Sequence, residues 1–221
     1  MNSNELEAIY DQRFNDHISY RNKVWQVLVS EFFCRFIDSG ASVLDIGCGY
    51  GEFINHVVCK KKYGIDLNSR ARERLQPGIT FFEQDCSTTW PLPNNSLDVV
   101  FTSNFFEHLP SKQALFGTLS EAMRCLKPAG RLIAMGPNIR FIGGAYWDFW
   151  DHHLALTDSS LAEVMRVQNF RIERVIDRFL PYTMVNQRSV PSFLISLYLK
   201  MPVFWRVFGK QFLVFARKPP Q

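Results

Sequence analysis

The densest chemistry in the chain is the run Val43-Leu44-Asp45-Ile46-Gly47-Cys48-Gly49-Tyr50-Gly51. An apolar stretch enters three alternating glycines, which allow a tight turn and let a ligand approach the backbone closely. A dinucleotide fingerprint would read G-x-G-x-x-G. Here the third glycine comes one residue early and Glu52 stands in its place, which argues against a pyrophosphate. The acid ahead of the loop, Asp45, suits a ligand carrying an ammonium group better than one carrying a phosphate. Asp66 follows at about 20 residues, the distance at which a strand-end carboxylate accepts ribose hydroxyls. A third acid, Asp85 in Phe82-Glu83-Gln84-Asp85-Cys86, stands where it can receive an amino group of a base. Further on, His108 and the cluster Asp151-His152-His153 supply groups that can move a proton.

Composition narrows what such a site can belong to. The chain has 221 residues, 47% of them hydrophobic and 21% charged, which fits a globular domain and excludes a disordered one. The net charge of +4 is uneven. No acidic residue follows Asp177, whereas Arg178, Arg188, Lys200, Arg206, Lys210, Arg217 and Lys218 do, leaving 18 basic and 21 acidic residues before that point. No charge-free apolar run nears the ~20 residues of a membrane helix. The N-terminal residues are polar and acidic, unlike a signal peptide. Cys34, Cys48, Cys59, Cys86 and Cys125 contain no C-x-x-C pair and read as reduced thiols of a cytoplasmic protein, with no metal site expected.

The elements that would position these residues alternate. Trp25, Leu28, Val29, Phe32, Phe33 and Phe36 form a helical stripe expected to end near Ser39-Gly40. Strands are expected at 42–46, 63–66, 79–84, 97–103, 131–135, 171–179 and 211–216. Helices are expected near 52–58, 69–75, 112–126 and 158–167, the last two capped by Ser111 and Thr157. Such alternation predicts a Rossmann-like, doubly wound α/β sheet of seven strands with helices on both faces and the ligand outside the strands' carboxyl ends.

With these features in place, the chain resembles the class I S-adenosylmethionine-dependent methyltransferases, in particular the small-molecule branch that includes quinone- and polysaccharide-biosynthesis enzymes. The likeness spans roughly residues 40–180 and 210–217. It rests on Val43–Phe53, Tyr63–Asn68, Phe82–Cys86, Ser96–Leu109 and Leu126-Lys127-Pro128-Ala129-Gly130-Arg131-Leu132. It implies a mostly parallel sheet whose last strand is antiparallel and inserted between strands five and six. It implies S-adenosylmethionine as cofactor, with Gly47, Cys48, Gly49 and Gly51 lining its methionine and ribose parts. Asp45 would orient the ammonium, Asp66 hold the ribose hydroxyls and Leu67 cover one adenine face. Asp85 and the Cys86 N–H would meet the adenine, and Asn104 would offer its carbonyl to the ammonium. Relatives often fold N-terminal helices over the donor, so residues 1–40 are expected to form a helical lid ahead of a methyltransferase domain at 41–221. In that lid Tyr10, Arg13, Phe14, Tyr20 and Arg21 are the polar and aromatic candidates, with Tyr20 or Arg21 meeting the donor carboxylate.

On the acceptor side the candidates are His108, as a general base or a helix-capping group, and Asp151 with His152 or His153, as a base with its orienting carboxylate or as anchors of the loop to the body. Some quinone-pathway relatives bind a divalent metal through a Glu-His pair like Glu107-His108, but the upstream acid of that pattern is Asn104 here. The run Ser103–Leu109 also lacks the Asn/Asp-Pro-Pro-aromatic motif of base-amino methyltransferases, and the basic residues form no nucleic-acid stripe. Residues 138–153 are expected to wall the acceptor pocket, and the insert 181–210 to cap it. Basic residues among apolar ones at 190–210 also suit peripheral contact with the inner membrane face; a helix buried on the body or on a second copy is the other reading. The sequence thus predicts a cytoplasmic methyltransferase for a small-molecule, glycan or lipid-linked acceptor, at oxygen. The alternatives are a donor-binding protein without transfer and a nicotinamide-dependent reductase.

Overall fold

The computed structural model describes residues 18–182 and 190–220. Tyr10, Arg13, Phe14 and Arg188 lie outside the described residues. Seven strands form one sheet in the order β3-β2-β1-β4-β5-β7-β6. They are β1 (Ser42–Ile46), β2 (Lys61–Asp66), β3 (Ile79–Glu83), β4 (Leu97–Ser103), β5 (Leu126–Pro137), β6 (Arg171–Ile176) and β7 (Gln211–Arg217). Strands β1 to β5 pair in parallel, and β7 runs antiparallel between β5 and β6. The strand order reverses beside β1, so the carboxyl ends of β1 and β4 open a crevice there, the site a ligand takes in such sheets.

Alternation along the central strands supplies two apolar faces. Leu44, Ile46, Val100, Leu132 and Val214 pack under α3 (Lys112–Cys125) and α5 (Asp158–Val167). Val43, Val99, Phe101, Ile133 and Phe215 pack under α1 (Ile18–Glu31) and the helices of the insert, α6 (Ser192–Lys200) and α7 (Pro202–Phe208). The remaining short helices are α2 (Ala71–Arg74) and α4 (Ile139–Ile142). Both expected caps are present: the Ser111 hydroxyl accepts from the Ala114 N–H, and Thr157 closes a capping box with Ser160.

Several boundaries depart from expectation. The N-terminal helix stops at Glu31 and gives way to a 3₁₀ turn at Phe33–Phe36 instead of running to Gly40. The turn drives Phe32 and Phe33 onto Phe101 and Phe179. Burying each aromatic is worth about 1.5–3 kcal/mol, more than the few tenths per residue by which propensity favours continuing a helix. Residues 52–56 form successive turns, not a helix, and Asn55 there ties them to the next segment, its side chain donating to the Arg74 carbonyl and accepting from the Gln76 N–H. Strand β5 begins at Leu126 instead of the expected 131, with an irregularity where Ala129 takes φ 63° and its N–H donates to the Lys218 carbonyl.

Candidate functional site

The glycine turn is built where β1 stops. The N–H groups of Gly47 and Cys48 both donate to the Ile65 carbonyl, at 2.8 and 3.2 Å, tying the turn to β2. Gly47 has φ 64°, and a Cβ there would sit 2.2 Å from the Phe105 ring, so the close packing of Phe105 on the loop requires glycine. Asp66 anchors the second turn: its Oδ2 accepts from the Gly49 N–H and its Oδ1 from the Asn68 N–H, each at 2.8 Å. Burial raises the Asp66 carboxyl above the usual carboxylate range against the pull of these backbone donors. Each of its oxygens keeps a second lone pair, the acceptors that ribose hydroxyls would need.

Asp45 is buried, and its carboxyl is held well above the usual range, first by burial and then by the nearby Glu52 and Asp66 charges. Three acids therefore share one end of the crevice. Glu52 is met by Arg21 of α1 at 2.7 Å, which places the guanidinium beside the glycine loop, while the Tyr20 hydroxyl accepts from the Val190 N–H at 3.0 Å and ties α1 to the insert. Among the described residues no salt bridge reaches Asp45. A buried carboxylate of this kind is relieved by an incoming cation. Leu67 stands half-exposed past the end of β2, an apolar wall in an otherwise polar rim. Asp85 lies exposed and receives the Ser87 N–H at 2.8 Å, whereas the Cys86 thiol is buried against Thr118 and pushed up to about 12 by burial. Asn104 turns the chain past β4 with φ 49°, its N–H on the Met135 carbonyl.

A second cluster, around His108, joins two segments distant in sequence. The His108 Nδ1 lies 3.1 Å from both the Asp151 Oδ2 and the Asp151 carbonyl. Both partners are acceptors, so Nδ1 carries the hydrogen and Nε2 holds the free lone pair. Burial would lower the His108 pKa, but the hydrogen bond to Asp151 and the Glu107 and Asp151 charges outweigh it and raise the ring above its ordinary value. Nε2 lies 3.9 Å from the Glu107 Oε1. Glu107 is buried, its Oε2 has no hydrogen-bond partner among the described residues, and burial pushes its carboxyl up to about 7.

His152 is fixed differently. Its Nδ1 meets the Tyr146 carbonyl at 2.8 Å, its ring stacks on Phe149, and its centroid lies 4.9 Å from that of His108. Tyr146 in turn donates its hydroxyl to the Leu154 carbonyl. His153 contributes through its backbone, whose N–H donates to the Glu107 carbonyl at 2.8 Å, while its side chain is exposed. The fold thus brings His108, Asp151 and His152 together and leaves the His153 ring outside the cluster. Glu107, which the sequence reading mentioned only beside His108, is at its centre; the signal was its position next to that histidine on the ligand side of β4. Glu107, His108 and His152 offer ligand atoms within 4.8 Å of one another, a set able to hold a metal ion.

Residues 44–134 match the methyltransferase-domain family. The chain carries a class I S-adenosylmethionine-dependent methyltransferase domain. The chain is 38% identical over 109 residues to phosphoethanolamine N-methyltransferase 1 of Arabidopsis thaliana, covering 42% of this chain and 20% of that protein. It is 30% identical over 147 residues to a protein of Mycolicibacterium smegmatis named "Probable S-adenosylmethionine-dependent methyltransferase", covering 64% and 56%. The chain therefore spans a fifth of the plant relative's length and just over half of the mycobacterial one's. The fold is shared with a solved S-adenosylmethionine-dependent methyltransferase of Archaeoglobus fulgidus, with a TM-score of 0.65 at 19% identity over 93% of this chain and 99% of that one.

The methyltransferase domain takes S-adenosylmethionine as its cofactor, and the residues present fit that group: a glycine turn with no room for a side chain at Gly47, a carboxylate with spare lone pairs at Asp66, and a buried acid at Asp45 that a cation would relieve. No helix among the described residues is long and apolar enough to cross a membrane.

Proposed function

We propose that the protein is a cytoplasmic methyltransferase acting on a hydroxyl oxygen of a small-molecule, glycan or lipid-linked acceptor, with His108 as the general base. The five free thiols support the cytoplasmic location. When bound, S-adenosylmethionine supplies a methyl group already activated on a sulfonium, so the protein's task is alignment and removal of one proton. On this reading Gly47, Cys48, Gly49 and Gly51 shape the donor cradle, Asp66 orients the ribose, Asp45 faces the ammonium and Leu67 covers one adenine face. Asp85 and the Cys86 N–H serve the adenine, the Asn104 carbonyl the ammonium, and Arg21 with Tyr20 closes the α1 side.

The observation that carries the oxygen reading is the His108–Asp151 pair. An amine acceptor can lose its proton after transfer, whereas a hydroxyl must lose it as the bond forms. Asp151 holds the ring so that Nε2 accepts that proton, and its charge stabilises the imidazolium that results. Residues 138–153 wall the acceptor side, and the Tyr182 ring at the start of the 181–210 insert meets Phe149 of that wall at 5.9 Å, which supports the insert as its cap. A second reading comes from the Glu107–His108–His152 geometry: these three side chains would hold a divalent metal, which would supply Lewis-acid activation of the acceptor in place of a base.

The test is transfer of radiolabelled methyl groups into fractionated lipids, glycans and small metabolites, run after treatment with chelator. Label in an alkali-stable, oxygen-linked product that survives chelation supports the base. Activity restored only by added metal supports the second reading, and absence of S-adenosylmethionine binding by calorimetry ends both.

A further inference from the structure

The insert presents an unusual surface. On α6, Leu199 is buried and Ile195 and Tyr198 pack on the core beside α1, while the Ser196 hydroxyl donates to Glu31 at 2.5 Å. These contacts fix which side faces the body. The opposite side exposes Phe193 (68%), Leu194 and Leu197, at i, i+1 and i+4. On α7, Trp205 is buried, and Val203, Val207 and Phe208 are each more than half exposed. Six large apolar side chains on two consecutive helices thus face outward, where a soluble surface scatters them singly.

The charge carried by the insert itself has one sign. Arg206 and Lys210 are exposed and make no ion pair among the described residues; Lys200 reaches Glu31 at 3.7 Å with most of its side chain still open. Arg178 is engaged by the Gly209 and Val207 carbonyls and stacks on Phe141. No acidic residue occurs after Asp177. The helices run 9 and 7 residues with Pro202 at the joint, far too short to span a bilayer. Short helices with exposed apolar side chains flanked by cations are the pattern of a segment lying in the interface plane of an anionic membrane.

We infer that α6 and α7 form a docking surface for an anionic lipid bilayer. Phe193, Leu194 and Leu197 of α6 and Val203, Val207 and Phe208 of α7 enter the headgroup boundary, and Arg206 and Lys210 meet lipid phosphates. The docking rests on this surface alone. That it brings a lipid-linked acceptor to the site, through the contact of Tyr182 with Phe149, rests on the proposed transferase.

Sedimentation of the full chain with phosphatidylcholine vesicles, with and without phosphatidylglycerol, tests it. The wild type should pellet with the anionic vesicles about tenfold or more tightly than with neutral ones. Arg206→Gln with Lys210→Gln should erase that preference, and Phe193→Ser with Val207→Ser should abolish pelleting. Unchanged melting temperature and S-adenosylmethionine affinity in both variants would show that the fold is intact. Failure of the wild type to pellet overturns the inference, as does equal pelleting by the apolar variant. So does a wild-type dimer in light scattering that the apolar variant converts to monomer, since the face then belongs to a second copy. A chain that pellets but binds no S-adenosylmethionine would end the transferase reading and leave the docking standing.

Discussion

The proposed donor end and the proposed acceptor end of the crevice are built by opposite means. The donor end comes from short contiguous segments, each a strand tip with its following turn, and its key contacts are backbone hydrogen bonds to the Ile65 carbonyl and the Asp66 carboxylate. The acceptor end is a side-chain cluster drawn from residues 107–108 and 146–154, which meet only because the loop after β5 folds back over the end of β4. The first kind of site fixes geometry through the main chain and tolerates little substitution. The second fixes protonation through burial and neighbouring charge, so its failures should appear in pH dependence before they appear in binding.

Breaking the main-chain end should cost most. Gly47→Ala puts a methyl into the Phe105 ring at φ 64°, and we expect about a hundredfold loss of S-adenosylmethionine affinity by calorimetry, about 3 kcal/mol. Gly143→Ala is the control: its φ is 63°, but nothing lies within 4 Å of the added carbon. With ψ −140°, close to an essentially glycine-only region, it should lose about 1–3 kcal/mol of stability to backbone strain and bind the donor normally. Asp66→Asn removes an acceptor oxygen from the cradle and should weaken the donor by about tenfold, the scale of one charge-assisted hydrogen bond.

The side-chain end should respond more subtly. As a base, His108 must be neutral, so activity should climb as pH rises through a ring pKa held above its ordinary value. Asp151→Asn removes the largest influence holding it up. The acidic limb of the kcat profile should then move to lower pH, while donor affinity stays constant; an unmoved limb would assign Asp151 a merely structural part.

Glu107 offers the smallest effect and a separate readout. Its folded pKa, about 7, exceeds the unfolded value near 4.5, so the folded state binds the extra proton. That contribution is complete at low pH and is lost as pH rises through about 7. Chemical denaturation should therefore show the wild type losing up to about 3 kcal/mol between pH 5 and pH 9 from this group. Glu107→Gln should flatten that part of the slope.

The same contrast explains what could be read from the sequence. The glycine loop, Asp45 and Asp66 were legible because a strand, a turn and a strand-end acid are local patterns with fixed spacing. The antiparallel direction of β7 and its place between β5 and β6 followed from the resemblance to the class I family. Residues 52–58 were not legible as turns, because the contacts of Asn55 there run to Arg74 and Gln76, about 20 residues further along the chain. The early end of α1 was hidden because what stops it is a cluster of aromatics from β4 and the chain after β6. At the acceptor end, His108 and Asp151 could be named one by one. Their pairing, the exclusion of the His153 ring and the burial of Glu107 depend on a loop path that no periodicity encodes.

Single-turnover methyl transfer by His108→Gln, with donor affinity measured on the same preparation, tests the central claim most directly. The account predicts donor affinity equal to wild type and transfer slowed by about 10²–10⁴, the usual worth of a positioned general base. Transfer at the wild-type rate with the donor still bound would contradict it.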